Sequence, residues 1–282
     1  MGALDRRVAI ITGAGRGIGR EHALLFAEEG AAVVVNDIDL DAADAVCAEI
    51  EAAGGQAVSD DSDVSTWDGG ARIVDRAVSL FGELHVLVNN AGFLRDRAFV
   101  NMTEEEWDAI IAVHLKGHAA PTRFAVAYWR ELSKQGVDVS ASVINTSSTS
   151  GLVGNPGQTN YGAAKAGVAA FTVILAQEVA RYGVRVNALT PAARTRLTEA
   201  TPGLGDVVAP PDTEGVFDVW DPANVAPLAA YLATAGAPET GRVYYVQGGR
   251  IRLFKGWTMT STIDRNERWT VEALAKEMPS LH

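Results

Sequence analysis

The chain has few of the features that mark secreted, nucleic-acid-binding or membrane-spanning proteins. Cys47 is its one cysteine among 282 residues, so no disulfide can form within the chain, which suits a reducing compartment. Its 24 basic residues are outnumbered by 35 acidic ones, and the net charge of −11 argues against binding to nucleic acid or to an anionic membrane. Residues 1–7 lack an apolar leader and no run of eighteen apolar residues occurs, so we expect a cytoplasmic protein. Its five histidines lack metal-ligand spacing, and no metal is expected.

What the chain does contain is a regular alternation of strand-like and helix-like patterns. The strands are predicted at 7–12, 31–36, 56–60, 84–89, 140–146, 183–189 and 242–247, and the helices near 17–29, 40–53, 65–81, 103–133, 157–181 and 222–235. The strand runs are continuously apolar, as expected when helices cover both faces of a parallel sheet. Because parallel strands are joined by right-handed crossovers, the pattern predicts one α/β domain over 1–282 with a doubly wound parallel sheet, the Rossmann fold.

A glycine-rich turn follows the first predicted strand. Gly13, Gly17 and Gly19 are spaced Gly-x-x-x-Gly-x-Gly before a helical pattern. Glycines at such a turn let backbone amides approach a pyrophosphate at the helix N-terminus. We therefore predict a dinucleotide-binding site at this turn.

The second predicted strand ends at Asp37, a position that affects the choice between NAD and NADP. A carboxylate there can accept hydrogen bonds from the ribose hydroxyls of NAD, and it repels the extra phosphate of NADP. Arg16 argues the other way, since an arginine in the glycine loop can pair with a 2′-phosphate. Asp37 could also be a helix cap or turn residue. The strand-end position favours NAD as the cofactor.

Tyr161 and Lys165 stand four residues apart, and Ser148 lies thirteen residues before the tyrosine. Residues i and i+4 share one face of a helix, so the phenol and the ammonium are expected side by side. A positive charge within about 4–6 Å favours the phenolate and lowers its pKa from about 10. Such a tyrosine can exchange a proton with an alcohol or ketone, and Ser148 could donate a hydrogen bond to the same substrate oxygen.

These motifs resemble those of the short-chain dehydrogenase/reductase family. The matching segments, in order and spacing, are Thr12-Gly13-x-x-x-Gly17-x-Gly19, Asn89-Asn90-Ala91-Gly92, Ser148 and Tyr161-x-x-x-Lys165. The resemblance covers about residues 5–250 and implies a seven-stranded sheet in the order 3-2-1-4-5-6-7. It also implies hydride transfer between a nicotinamide cofactor and a secondary alcohol or ketone, in a homodimer or homotetramer.

A closer likeness is to the (3R)-hydroxyacyl-CoA dehydrogenase domain of peroxisomal multifunctional enzymes and its bacterial single-domain relatives. It rests on Asn36-Asp37, on the stretch from Asn89 to Arg97, on Val113-His114-Leu115-Lys116-Gly117 and on the stretch from Gly154 to Tyr161. The likeness implies a 3-hydroxyacyl-CoA or a hydroxysteroid as the substrate.

The family resemblance also implies roles for individual residues. Ser148, Tyr161 and Lys165 are the implied catalytic residues, with the tyrosine as general base in oxidation and acid in reduction. The implied cofactor contacts are Gly13, Arg16, Gly17, Ile18 and Gly19 at the pyrophosphate, Asp37 at the adenine ribose, Asp63 and Val64 at the adenine, Asn90, Ala91 and Gly92 under the cofactor, Pro191 and Thr195 at the nicotinamide, and Tyr161 and Lys165 near its ribose. Asp60 and Asp61 are alternatives to Asp63. His114 stands where many members carry asparagine, either binding an ordered water or transferring a proton.

Two segments break the alternation of strands and helices. Residues 190–221 are rich in Pro, Gly, Thr and Asp, and we interpret them as a lid over the substrate. Residues 250–282 form a C-terminal extension with Phe254, Trp257 and a short helix near 270–278, packed on its own or a neighbouring subunit. Within the alternating part, the capping box that starts at Thr103 begins a long helix over 103–133.

The favoured function is thus NAD-dependent dehydrogenation of a 3-hydroxyacyl-CoA or a hydroxysteroid. An NADPH-dependent 3-oxoacyl reductase is the alternative, but it would need a basic cluster at the end of the second strand, and the sequence shows none. A non-catalytic NAD-binding regulatory protein is a further alternative. Retention of Ser148, Tyr161 and Lys165 argues against it.

Overall fold

The computed structural model describes residues 2–199, 205–211, 213 and 215–281. Within these residues, eight strands form one sheet in the order β3-β2-β1-β4-β5-β6-β7-β8. The strands are β1 Val8–Thr12, β2 Ala32–Asn36, β3 Gln56–Asp60, β4 Val86–Asn89, β5 Ala141–Thr146, β6 Val184–Pro191, β7 Val243–Gln247 and β8 Arg250–Leu253. The first seven strands pair in parallel, which confirms the predicted doubly wound sheet and the predicted order of those strands.

The described helices cover both faces of this sheet. They are α1 Gly17–Glu28, α2 Leu40–Ala52, α3 Trp67–Phe81, α4 Glu104–Ile110, α5 Gly117–Lys134, α6 Thr149–Leu152, α7 Thr159–Val179, α8 Arg196–Glu199, α9 Ala226–Ala233 and α10 Val271–Glu277. Successive strand residues point to opposite faces, so Ile11 packs with α1, α2 and α9 while Ile10 packs with α3, α5 and α7. The two apolar layers hold the carboxyl ends of the central strands in place.

The prediction of seven strands was wrong by one. Beyond the end of β7 the chain turns back at Gly248 and Gly249, and β8 pairs antiparallel with β7. Gly248 has a φ of +50°, which suits a two-residue hairpin turn. All four residues of β8 are exposed, and apolar residues alternate with arginines along it. This edge strand therefore lacked the continuous apolar run by which the other strands were predicted. It belongs to the segment that we assigned to the C-terminal extension.

The middle helix is also different from the prediction. The capping box is confirmed: the Thr103 hydroxyl accepts from the backbone amide of Glu106, and the Glu106 carboxylate accepts from the backbone amide of Thr103. The single helix expected over 103–133 is instead α4, a π-helical segment at Ile111–Lys116, and α5. Wide turns of this kind often occur at functional sites, and this one carries His114 into the interior.

One helix in the described part of the chain, Thr159–Tyr182 with its final 3₁₀ turn, is long and apolar enough to cross a membrane by length and composition alone. Of its most apolar window, 39% is buried. The helix packs against β5 and β6 and buries Asn160 and Lys165, two polar residues. These contacts are those of a core helix on a sheet.

The described residues of the segment 190–221 make specific tertiary contacts. Arg194 joins its parts, because its guanidinium pairs with Asp218 at 2.5 Å and donates to the Val208 carbonyl at 2.9 Å. The Asp218 carboxylate raises the pKa of Arg194, so this arginine is already engaged. Residues 200–204, 212 and 214 of the predicted lid lie outside the described residues, and its covering role stays a prediction.

The C-terminal extension after β8 crosses the surface. The backbone of Phe254 donates to the Val243 carbonyl at 2.8 Å, and the predicted short helix appears as α10. Trp257 and Met259 are 98% and 97% exposed in the single chain. A place for this extension at a subunit interface stays a prediction.

Candidate active site

The turn after β1 is held together by contacts with the turn after β4. The hydroxyl oxygen of Thr12 accepts hydrogen bonds from the backbone amides of Asn90 at 2.9 Å and Ala91 at 3.1 Å. The side-chain amide of Asn90 donates to the carbonyls of Thr12 and Gly13 at 3.1 and 3.2 Å. Two of the predicted cofactor segments therefore form a single unit.

The glycines of the first turn are required by close approach as much as by conformation. A Cβ at Gly13, whose φ is +61°, would lie 2.6 Å from the Cα of Ala91. A Cβ at Gly19 would lie 2.1 Å from the carbonyl oxygen of Gly13. Gly17 has a φ of +56° and faces the methyl group of Thr195, 3.6 Å from where its Cβ would be. The segment after β6 thus reaches the glycine loop through Thr195, whose predicted contact with the nicotinamide stays a prediction.

Asp37 lies at the end of β2 beside the glycine loop. Its carboxylate accepts from the backbone amide of Gly15 at 3.1 Å and from that of Asp39 at 3.1 Å. The cap of α2 is Asp39, which accepts from Ala42, so the alternative of Asp37 as the helix cap is wrong. Asp39 also pairs with Arg16 at 2.5 Å, which raises the pKa of that guanidinium. The cation that argued for NADP is therefore paired with an acid from the same edge.

The acids after β3 differ in burial. Asp60 is buried and accepts from the side-chain amide of Asn36 at 2.8 Å and from the backbone of Ser62 at 2.9 Å. Asp63 is exposed, and its carboxylate accepts from the backbone amide of Ser65 at 2.9 Å. Val64 is buried. The Asp60 carboxylate is thus occupied by hydrogen bonds inside the fold. Of these two acids, the exposed Asp63 is the more accessible one for the predicted adenine pocket.

The three predicted catalytic residues meet at the carboxyl ends of β5 and β6. Ser148 caps α6, and its hydroxyl accepts from the backbone amide of Ser150 at 3.2 Å. Tyr161 lies in the first turn of α7. The ammonium of Lys165 is 5.7 Å from the centre of the Tyr161 ring and donates to the Thr146 carbonyl at 2.5 Å. The helical spacing placed the phenol and the ammonium on one face, as predicted from the sequence.

The expected direction of the tyrosine pKa was wrong for this arrangement. Burial raises the pKa of Tyr161, a hydrogen bond with Ser148 lowers it, and the Asp96 charge raises it. Burial also lowers the pKa of Lys165 to about 7, so near neutral pH this side chain carries only part of a positive charge. Desolvation is the largest cause of the shift in both groups.

His114 lies between the tyrosine and the loop after β4. Its ring meets that of Tyr161 edge-on, with 5.0 Å between centres, and its Nε2 is 2.7 Å from the carbonyl oxygen of Phe93. A Cβ at Gly92 would lie 2.2 Å from this ring, so the predicted Gly92 is needed for the approach. Burial, followed by the charge of Lys165, lowers the pKa of His114 to about 3. The imidazole is neutral at neutral pH, which supports a hydrogen-bonding role over direct proton donation.

Sequence reasoning missed several polar residues around this site. His118 is fully buried, and desolvation followed by the Lys165 charge lowers its pKa well below the usual value. Asn160 is also buried, and its amide donates to the carbonyls of Arg95 at 3.1 Å and Glu106 at 3.2 Å. Asn160 belongs to the stretch that carried the closer resemblance, and this was the one available signal for it.

A glycine-rich turn at the carboxyl edge of a doubly wound sheet, with a tyrosine and a lysine at the same edge, is typical of an oxidoreductase of the Rossmann class. The family comparison makes the class specific. Residues 7–203 match the family described as short chain dehydrogenase. The chain therefore belongs to the short-chain dehydrogenase/reductase family, whose enzymes act on CH–OH groups.

Individual relatives agree with this assignment. The chain is 46% identical over 260 residues to the hydroxyacyl-CoA dehydrogenase ChsB1 of Mycobacterium tuberculosis, a match that covers 89% of this chain and 80% of that protein. A crystal structure of a short chain dehydrogenase from Mycobacterium avium matches with a TM-score of 0.90 and 49% identity, over 99% of this chain and 95% of that one. The chain is 42% identical to the peroxisomal multifunctional enzyme type 2 of Drosophila melanogaster over 84% of its length, but it spans only 38% of that longer protein.

Proposed function

We propose that the protein is an NAD-dependent dehydrogenase of 3-hydroxyacyl-CoA thioesters. The observation that carries the proposal is the meeting of Ser148, Tyr161 and Lys165 at the edge where Asp37 borders the glycine loop. The similarity to a hydroxyacyl-CoA dehydrogenase over 89% of the chain supports the substrate class. A hydroxysteroid is the second substrate class to be tested.

The residues present fit a nicotinamide dinucleotide. Gly13 and Gly19 leave no room for a Cβ, so the first turn is compact and exposes backbone rather than side chains. The half-buried carboxylate of Asp37 would accept from ribose hydroxyls, and Lys165 would bind the second ribose. Once bound, the nicotinamide ring supplies the hydride acceptor.

The proton would move through side chains of the chain itself. Ser148 orients the substrate oxygen; in reduction the phenol of Tyr161 gives its proton to that oxygen, and in oxidation the phenolate of Tyr161 takes the proton from the alcohol. Because burial raises the pKa of Tyr161, the phenol is protonated near pH 7 and ready to act as an acid in reduction. In oxidation, the Tyr161 phenol must first lose its proton. Lys165, which has a pKa of about 7 and donates to the Thr146 carbonyl, can take up that proton.

The alternatives have less support. Arg16 is the residue that favours NADPH, but it is paired with Asp39. A non-catalytic role would not require the tyrosine, lysine and serine to meet. The substrate-covering role of 190–221, the cytoplasmic location and the homo-oligomer stay predictions.

The test is a screen of 3-hydroxyacyl-CoAs of several chain lengths and of hydroxysteroids, each with NAD and with NADP, followed by nicotinamide absorbance. We expect kcat/KM with NAD to exceed that with NADP by about tenfold or more, since like charges at a partly shielded site cost a few kcal/mol. The Tyr161→Phe variant should lose about 10²–10⁴-fold in kcat while binding NADH normally in a fluorescence titration. A preference for NADP would contradict the cofactor assignment, and a Tyr161→Phe variant with more than about a hundredth of the rate would contradict the catalytic one.

A further inference from the structure

Gln158, the residue just before α7, bonds through its side chain to three other positions. Its amide nitrogen donates to the carboxylate of Asp96 at 2.7 Å. Its amide oxygen accepts from the hydroxyl of Ser150 at 2.7 Å and from the side chain of Asn155 at 2.9 Å. The residue is 6% exposed. The Asp96 carboxylate can only accept, so the amide nitrogen of Gln158 must face it. The amide oxygen then faces Ser150 and Asn155, and the partners determine the orientation of this amide.

Gln158 is connected to both catalytic segments. Ser150, which it binds, donates its backbone amide to the hydroxyl of Ser148 at 3.2 Å. The backbone carbonyl of Gln158 accepts from the backbone amide of Gly162 at 2.7 Å, in the first turn of the helix that carries Tyr161. A displacement of Gln158 would therefore move the serine and the tyrosine relative to each other.

The partner of Gln158 in the loop after β4 is itself held on both sides. Arg97 donates its backbone amide to the Gly157 carbonyl at 2.8 Å, and the carbonyl of Arg95 accepts from Asn160 at 3.1 Å. Both neighbours of Asp96 are thus bonded to the segment around the start of α7. Asp96 is exposed, and these bonds hold its carboxylate beside Gln158, at the start of the helix that carries Tyr161.

The titratable groups around Tyr161 come from four elements. Lys165 faces it from α7, and His114 faces it from the π-helical segment in a neutral state. His118, in α5, is close enough to Lys165 for the lysine charge to lower its pKa, and it is neutral as well. Asp96 comes from the loop after β4, and its charge raises the pKa of the tyrosine.

The two cations of the same loop are engaged elsewhere. The guanidinium of Arg97 pairs with Glu106 at 2.7 Å. That of Arg95 lies over the ring of Phe93, 4.9 Å from its centre. The charge of this loop that acts on the phenol of Tyr161 is therefore the negative charge of Asp96.

We propose that Gln158 is a positioning residue for the reaction, and that Asp96 is its electrostatic partner. Gln158 fixes the start of α6, where Ser148 lies, relative to the start of α7, where Tyr161 lies. Asp96 contributes a negative charge that acts on the phenol. The proposal rests on the roles proposed above for Ser148 and Tyr161.

A reversal of the hydrogen bond tests the positioning role. In Gln158→Glu, two carboxylates face each other across the contact with Asp96, and kcat should fall about tenfold or more. Adding Asp96→Asn restores one donor and one acceptor with the direction reversed, and kcat should return to within about threefold of the wild type. NADH affinity, measured by fluorescence titration, should be unchanged in both. Unchanged NADH affinity in both variants would show that the loss of kcat is local to the catalytic segments and does not come from a general loss of structure.

The pH–rate profile tests the electrostatic role. Asp96→Asn keeps an acceptor for Gln158 but removes the charge, so the limb of kcat/KM assigned to Tyr161 should move to lower pH by about half a unit, because water screens an exposed charge. Asp108→Asn removes the same charge from an exposed position on α4 and is the matched control, with no shift expected.

The outcomes separate this proposal from the catalytic assignment. If Tyr161→Phe is inactive but the double variant stays as slow as Gln158→Glu, Gln158 is not a positioning residue. If the profiles of Asp96→Asn and the wild type coincide, the electrostatic role of Asp96 is wrong. If Tyr161→Phe retains full turnover, the catalytic assignment itself fails.

Discussion

The nucleotide side of the site, residues 8–64, and the substrate side, residues 93–98 and 148–162, are stabilised by different kinds of contact. On the nucleotide side, close backbone packing is added to the hydrogen bonds of Thr12 and Asn90: Gly19 approaches the Gly13 carbonyl so closely that a Cβ does not fit. On the substrate side, the amides of Gln158 and Asn160 join segments about 60 residues apart in the chain. The first kind of constraint selects glycine at particular positions, whereas the second depends on side chains that meet only after folding.

The largest effect that this comparison predicts is for Gly19→Ala. The added methyl group would lie 2.1 Å from the Gly13 carbonyl oxygen and 2.6 Å from the side-chain nitrogen of Asn90. The turn must shift, and overpacking of this kind costs about 1–3 kcal/mol. We expect NADH affinity to fall by up to about 100-fold in a fluorescence titration, with a lower Tm.

Gly236→Ala is the matched control for that substitution. Gly236 has no atom within 4 Å of its Cβ position, so NADH affinity and Tm should stay at wild-type values. Equal affinities in Gly19→Ala and Gly236→Ala would show that close backbone packing does not define the nucleotide side.

The same contrast explains how much could be predicted from the sequence. The glycine turn, Asp37 at the end of β2 and the meeting of Tyr161 with Lys165 follow from local spacing, because a helix or a strand end places such residues without reference to distant segments. The strand order came from the family resemblance, because apolar runs do not determine which strands pair. Apolar runs identified seven strands for the same reason.

What the sequence did not predict depends on tertiary contacts or on burial. The strand β8 is exposed throughout and has no apolar run. The π-helical turn that brings His114 inside is a local irregularity in an otherwise helical pattern. The raised pKa of Tyr161 follows from the depth at which the phenol is buried, which spacing alone does not give.

The next largest effect is expected on the substrate side, for Asn160→Ala. This side chain also accepts from the backbone amide of Tyr161 at 2.8 Å, so its loss leaves partly buried groups of three segments without this partner. The free energy of unfolding should fall by about 2 kcal/mol in urea denaturation, and kcat should fall about tenfold.

The NADH affinity of Asn160→Ala should stay within about twofold of the wild type if the two sides are independent. The exposed Asn266→Ala is the matched control, for which neither stability nor rate should change. A large loss of NADH affinity in Asn160→Ala would show that the substrate side also supports the nucleotide side.

The smallest effect concerns a side-chain contact on the nucleotide side, the pair of Arg16 and Asp39. Asp39→Asn keeps a good cap for α2 but releases the arginine, which can then meet the 2′-phosphate of NADPH. The pair is exposed, so NADPH affinity should rise only about three- to fivefold while NADH affinity stays the same. In the double variant Arg16→Ala/Asp39→Asn the gain should disappear, and Asp41→Asn, which removes a nearby exposed acid in the first turn of α2, should show none. If the double variant keeps the gain, the loss of the negative charge at position 39 is sufficient by itself, and Arg16 has no part in the choice of cofactor.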